Sequence, residues 1–474
     1  MLASPLLTDF YQLTMAYGYW KLQMHEQEAV FHLLFRKNPF KGEFALACGL
    51  NSVIDFLNQW HFEADDLAYL ATVTNGTNKP IFPPEFLDYL SQLKFTCDID
   101  AIPEGTIIFP HEPLLRIQGP LLQCQLLESP LLNMMNFQTL IATKAARVCH
   151  AAKKDPVIEF GLRRAQGPDG ALSASRAAYI GGCVATSNAL AGKIYDIPVR
   201  GTHAHSWVTA FANEADAFAA YASVLPHHCV LLVDTYNTIQ GVKNAIKIGK
   251  KLQQENAELL AIRLDSGDMA DLSIKARKLL DDAGLKNTGI LASNSLDEYV
   301  IENYKQSGAQ FSSWGVGTHL ATAYDQPALD GVYKMGALQN KQGEWEYKLK
   351  LSEQAVKISN PGRHQVRRFF CGEQYVTDVI YDLSLGISDS PEAIILNHEH
   401  HHKTLNDVDA FVDLLAPIFK RGKLVYTQES IHQTRQAAID ACKFFYDMQQ
   451  KNYPVGLEKK LFELKQTLVK SVSK

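Results

Sequence analysis

Apolar and polar residues follow three successive rhythms along this chain. In the first, about residues 1–130, helical and strand patterns mix. Leu13–Trp20 is apolar-rich and predicts a helix opened by Thr8 or Asp9 as cap. Val30–Phe35 alternates in part, as a strand does. Gly49–Trp60 carries Leu50, Val53, Ile54 and Leu57 at helical spacing. Between 99 and 118, short strand-like runs are punctuated by Pro103, Pro110 and Pro113.

From about residue 131 the pattern becomes regular. Leu131–Ala152 has no Gly or Pro and predicts a long helix. Apolar runs then recur about every 25–40 residues: Val157–Phe160, Ile197–Val199, Val230–Val233, Leu260–Ile262, Gly289–Ala292 and Phe311–Trp314. Helical stretches such as Ser173–Ala191 and Thr238–Gln254 lie between them. Parallel strands need crossovers, so this alternation predicts a parallel sheet. Six strands suggest an incomplete (β/α) barrel; a doubly wound open sheet fits the same alternation. After about 335 the rhythm changes again, with antiparallel candidates at Trp345–Leu349, Gln365–Phe369 and Tyr375–Ile380. The expected fold is α/β. An α+β domain at 1–130 is completed by about 336–400, a barrel-like catalytic domain occupies 131–335, and a helical region spans 401–474.

Composition narrows the class. The chain has 474 residues, 46% hydrophobic and 20% charged, with net charge −5. That balance argues against a broad nucleic-acid or anionic-membrane surface. The eight cysteines form no CxxC pair, as in a reduced, cytoplasmic protein. The N-terminus lacks the cationic start and apolar block of a signal peptide, and no apolar run is long enough to span a membrane. A histidine tract, His398 and His400–His402, lacks the carboxylates or cysteines that would complete a ligand set and reads as a solvated loop.

In a parallel barrel, working residues sit just past the C-terminal strand ends. Those ends here read Gly161–Gly170, Arg200–Ser206, Asp234–Thr238, Arg263–Asp268, Ser293–Ser295 and Gly315–Thr318. Any one is ordinary turn composition; six in register are not. Arg163, Arg164, Arg200 and Arg263 offer cationic forks for phosphate or carboxylate. Gly315, Gly317 and Thr318 allow backbone N–H groups to approach an anion. Asp234, Asp265 and Asp268 suit sugar hydroxyls, Mg²⁺ or a developing positive charge. Together they suggest a phosphorylated sugar across a barrel mouth. His203 and His205 admit two readings. They resemble the zinc pair of a barrel hydrolase, or one of them is a nucleophile or acid–base group while the other is structural.

The same stretches, with Leu7–Met15 (LTDFYQLTM), GTHAHSW at 201–207 and LVDTY at 232–236, resemble the nicotinate phosphoribosyltransferase family in order from residue 7 to about 335. Phe10 stands where a Leu is common in that family. The resemblance implies an incomplete α/β barrel with a sheet domain, acting as a homodimer. It implies that nicotinate and phosphoribosyl pyrophosphate form nicotinate mononucleotide and pyrophosphate. ATP hydrolysis is coupled through a phosphohistidine, which maps onto His205. Nicotinate would meet Tyr11, Phe160, Thr202 and Arg263, with Tyr11 crossing from the neighbouring subunit. Phosphoribosyl and phosphate groups would meet Arg163, Asn294, Gly315, Gly317 and Thr318. Asp234 and Asp265 would stabilise charge on the ribose carbon. Mg²⁺ would ride on the substrate pyrophosphate, with no metal site in the protein itself. The rivals are the sister enzyme that uses nicotinamide, which places Asp where this chain has Asn188, the quinolinate enzyme, and the metal-dependent hydrolase.

Overall fold

The computed structural model describes residues 4–352, 358–388, 392–395, 402–405, 408–447 and 453–472. It contains two compact units. One comprises Ile141–Pro327 with Ile431–Ile439; the other comprises Met1–Leu140, Ala328–Ser430 and Asp440–Lys474.

The first unit is built on six strands: β1 (Val157–Glu159), β2 (Ala185–Thr186), β3 (Cys229–Leu232), β4 (Leu259–Leu264), β5 (Gly289–Ala292) and β6 (Ser313–Val316). They lie in the order β2-β1-β6-β5-β4-β3, and every pairing is parallel. Short apolar strands buried on both faces are what a parallel sheet under crossover helices requires. Thr238–Gln254 shows the complement. It buries Val242, Ala245, Ile248 and Leu252 along one face and exposes its lysines.

The predicted second strand is corrected. Ile197–Val199 contributes only an isolated bridge from Val199 to Thr186, and β2 precedes it in the chain. The helix expected over Ser173–Ala191 is divided accordingly. It spans Gly167–Ile180, stops at Gly181 and Gly182, and resumes as Ala189–Tyr195. Gly182 has φ +116°, a left-handed conformation that halts the helix at no steric cost. The chain can then enter the sheet as β2.

The second unit has a seven-stranded sheet built around Val332–Gln339, Glu28–Leu34, Pro113–Pro120 and Asp98–Ala101, with antiparallel pairings. A six-stranded sheet in the same unit pairs His364–Cys371 with Gln374–Asp382. The expectation of a helical region over 401–474 needs correction. Strands run at His402–Thr404, Ala410–Asp413, Ala416–Lys420, Lys423–Leu424 and Val455–Glu458, beside helices Ile431–Asp447 and Lys459–Val472. Ala416–Lys420 pairs with Asp98–Ala101, a partner more than 300 residues away that local pattern cannot reveal. His398, His400 and His401 lie outside the described residues, and His402 opens a strand. Among the described residues no helix is long and apolar enough to cross a membrane, and no group of three or more His, Cys, Asp or Glu is placed to hold a metal ion.

Candidate active site

Parallel register sets the site. Leu232 of β3 pairs with Arg263 of β4, and Leu264 pairs with Ala292 of β5. Asp234, Asp265 and Ser293 therefore emerge side by side. Arg263 is the hub. Its Nε donates to Ser293 Oγ at 2.8 Å, Nη1 to Thr202 Oγ1 at 3.1 Å and Nη2 to Asp265 Oδ1 at 3.1 Å. Its guanidinium carbon lies 5.6 Å from the centre of the Phe160 ring, within cation–π range. The Arg263 side chain is 15% exposed, so an anion meets a cation partly withdrawn from water.

His205 begins helix His205–Thr209. Its Nδ1 lies 3.1 Å from Thr235 Oγ1, and its Nε2 lies 3.9 Å from Asp265 Oδ2. Arg263 and His205 thus flank the two oxygens of one carboxylate, and the ring is 45% exposed.

His203 is different in kind. Its Nε2 accepts from Leu232 N at 3.1 Å and its Nδ1 donates to Ala204 O at 3.2 Å. Both ring nitrogens are occupied and the residue is 7% exposed, with burial pushing its pKa down. Leu232 is on the edge strand β3. The imidazole therefore supplies the acceptor that a further strand would have given. The zinc-pair reading of His203 and His205 fails, because His203 has no lone pair to spare.

The glycines of the β6 tip lie close to Phe160. A Cβ on Gly315 would come within 2.5 Å of the Phe160 ring, and one on Gly317 within 3.1 Å of Phe160 O. A side chain at Gly315 would displace Phe160. Thr318 Oγ1 receives Arg164 Nη1 at 3.1 Å. Arg163, on the 3-10 turn Leu162–Arg164, is exposed. Asn294 is exposed and left-handed at φ +89°, a backbone state that Asn tolerates better than most residues.

Some expected groups have other duties. Asp268 caps helix Met269–Asp282 by accepting from Asp271 N. Asn188 caps helix Ala189–Tyr195 through Ala191 N, donates to Ser175 Oγ at 3.2 Å and is 2% exposed. Tyr11 belongs to the other unit, on helix Phe10–Lys21, and is 48% exposed.

Three residues without an assigned role in the sequence analysis shape the site. Ser293 bonds both Arg263 and Asp265, and Thr235 bonds His205. Glu159, 1% exposed, accepts from Gly161 N, Ser175 Oγ and Thr186 Oγ1 and so fixes the turn that carries Phe160. Strand register carried the signal for Ser293, since the residue after β5 must lie beside Asp265.

One oxygen is left over. Asp234 Oδ2 accepts from Asp265 N at 2.9 Å and Ser266 Oγ at 2.6 Å, whereas Oδ1 is buried without a partner. A buried, unpartnered carboxylate oxygen is costly unless a ligand hydroxyl or cation completes it. One or two carboxylates suit Mg²⁺, which takes its other ligands from water and substrate phosphates.

Known proteins resemble this chain over most of its length. Residues 6–136 match the model for the nicotinate phosphoribosyltransferase N-terminal domain, and residues 156–363 match the model for the nicotinate phosphoribosyltransferase family. A nicotinate phosphoribosyltransferase of Bacillus subtilis is 39% identical over 95% of this chain and 92% of its own length. One from Dictyostelium discoideum is 36% identical over 97% of this chain and 87% of its own. The crystal structure of human nicotinic acid phosphoribosyltransferase superposes with a TM-score of 0.84 at 29% identity, covering 97% of this chain and 99% of that one. On these grounds the chain belongs to the nicotinate phosphoribosyltransferase family.

Proposed function

We propose that this protein joins nicotinate to phosphoribosyl pyrophosphate, forming nicotinate mononucleotide and pyrophosphate as the first step of nicotinate salvage to NAD. ATP hydrolysis is coupled to the reaction through phosphorylation of His205. The supporting observation is the meeting of Arg263 and His205 at Asp265.

Arg263 keeps N–H donors for the nicotinate carboxylate, and the Phe160 face beneath it lies against the pyridine ring. Thr202 braces the guanidinium. Pyridine nitrogen is a modest nucleophile, so the bond from the ribose carbon to pyrophosphate breaks with much positive charge on that carbon. Asp265 and Asp234 face that charge. Arg163, Asn294, Gly315, Gly317 and Thr318 form the phosphate side. Asp234, with its unpartnered Oδ1, would also receive Mg²⁺ carried in on the substrate pyrophosphate, which would supply charge neutralisation for the leaving group. In the coupled step a ring nitrogen of His205 attacks the γ-phosphorus of ATP and ADP leaves; water later takes the phosphoryl group from the imidazole. The added charge beside the donor site tightens substrate binding until it is lost. Tyr11 covers the ring from the neighbouring subunit of a homodimer, and the enzyme works in the cytoplasm.

The test is to incubate the protein with nicotinate or nicotinamide, phosphoribosyl pyrophosphate and Mg²⁺, with and without ATP, and to identify the nucleotide formed. Nicotinate mononucleotide, stimulated by ATP in the wild type but not in His205→Ala, is expected. Formation of only the nicotinamide nucleotide would overturn the assignment, and ATP-stimulated turnover in His205→Ala would remove the phosphohistidine.

A further inference from the structure

Among the described residues Ser293 is the one side chain bonded to both the proposed nicotinate-binding cation and the proposed charge-stabilising carboxylate. It is 2% exposed at the tip of β5. Its Oγ lies 2.8 Å from Arg263 Nε and 2.5 Å from Asp265 Oδ1, with Leu264 O farther away at 3.2 Å. The polarity of these bonds is fixed. Arginine has no acceptor, so the serine oxygen must accept from Nε; its single proton is then left for the carboxylate. The short O–H···O⁻ distance is that of a charge-assisted bond.

Two consequences follow for the groups that touch the ligand. Nε–H and one Nη2–H, which form the side edge of the guanidinium, are taken by Ser293 and Asp265. One N–H on Nη1 is taken by Thr202. What is left is one N–H on each terminal nitrogen, a donor pair suited to a single carboxylate. On the acid, Oδ1 receives both Ser293 and Arg263, whereas Oδ2 faces His205.

We propose that Ser293 is a positioning residue for this reaction, selecting which edge of Arg263 meets nicotinate and which oxygen of Asp265 meets the reacting centre. The proposal rests on the nicotinate reading of the site. Without the hydroxyl, the Nε–H would turn towards the ligand or be left unpaired, and Asp265 would rotate with it. Both the binding of the pyridine carboxylate and the bond-breaking step suffer, by about tenfold to a hundredfold in kcat/KM, the range for stranding a buried partner.

The test compares Ser293→Ala, Ser293→Thr and Ser293→Cys with the wild type, by steady-state kinetics over nicotinate and over phosphoribosyl pyrophosphate and by urea unfolding. If the wild type makes no nicotinate mononucleotide, the functional reading itself fails. If it does, Ser293→Ala should raise KM for nicotinate and lower kcat while KM for phosphoribosyl pyrophosphate moves little. Ser293→Thr, which keeps the hydroxyl, should recover most of the loss. Ser293→Cys carries the same prediction as the alanine variant should that one not fold. Combining Ser293→Ala with Asp265→Asn should cost less than the two single losses summed, because both act through one chain of bonds. Unchanged kinetics in Ser293→Ala, equal losses in Ser293→Ala and Ser293→Thr, or losses that track stability alone would overturn the role.

Discussion

Two Arg–Asp pairs, one in each unit, show how similar chemistry serves opposite ends. Arg368 and Asp378 face each other across an antiparallel pair in the second unit, 3% and 0% exposed. Arg368 Nε and Nη2 both reach Asp378, Nη2 also donates to Ile107 O at 2.9 Å, and Tyr453 OH donates to Asp378 Oδ1 at 2.8 Å. This dry, closely bonded pair is anchored to the fold. Arg263 and Asp265 are 15% and 28% exposed. Each keeps capacity in reserve, in the remaining N–H groups of one and in the outward oxygen of the other, beside the unpartnered Asp234 Oδ1. A pair closed upon itself stabilises; a pair left open towards solvent awaits a ligand. Residue type does not separate the two cases, but satisfaction of the bonds does.

Truncating each pair should separate them most sharply. Asp378→Ala strands a buried guanidinium and should cost about 3–5 kcal/mol of unfolding free energy, measured by urea denaturation, while the folded fraction keeps its turnover. Arg263→Ala should do the reverse. It should cost about a hundred- to thousandfold in kcat/KM for nicotinate, roughly 3–4 kcal/mol, with a much smaller shift in the urea midpoint. Comparable losses of stability in both variants would break the contrast.

A smaller effect belongs to His203, the occupied histidine set against the open His205. His203→Phe keeps a ring but leaves Leu232 N without its acceptor, a cost of about 1–3 kcal/mol. Acid should mimic the substitution. Burial lowers the His203 pKa, so the unfolded chain binds a proton that the folded imidazole resists. The stabilising contribution is therefore present above about pH 6.5, the ordinary histidine value, and is lost as the pH falls below it. Comparing urea midpoints of wild type and His203→Phe from pH 7.5 to 5 checks this. Identical pH dependence in the two proteins would remove His203 from the account.

Much of the first unit was legible from pattern, because parallel strands under crossover helices repeat the same local signal. Thr238–Gln254 forms at the predicted bounds, and β1, β3, β4 and β5 overlap their apolar runs. β2 was missed because two residues carry no periodicity. The strands beyond residue 400 were missed because their partners lie far away in sequence. Asp268 also caps a helix and Gly315 also packs on Phe160, because helix caps and close packing draw on the same small or polar residues as binding sites do.

By itself the sequence determined the parallel architecture and brought Arg263, Asp265 and His205 forward as site candidates, since periodicity and motif order are local properties of the chain. Only the tertiary structure decided which polar groups were already occupied. Whether a histidine or a serine is a tool or a brace depends on what its atoms touch, and those contacts come from residues brought together by strand register.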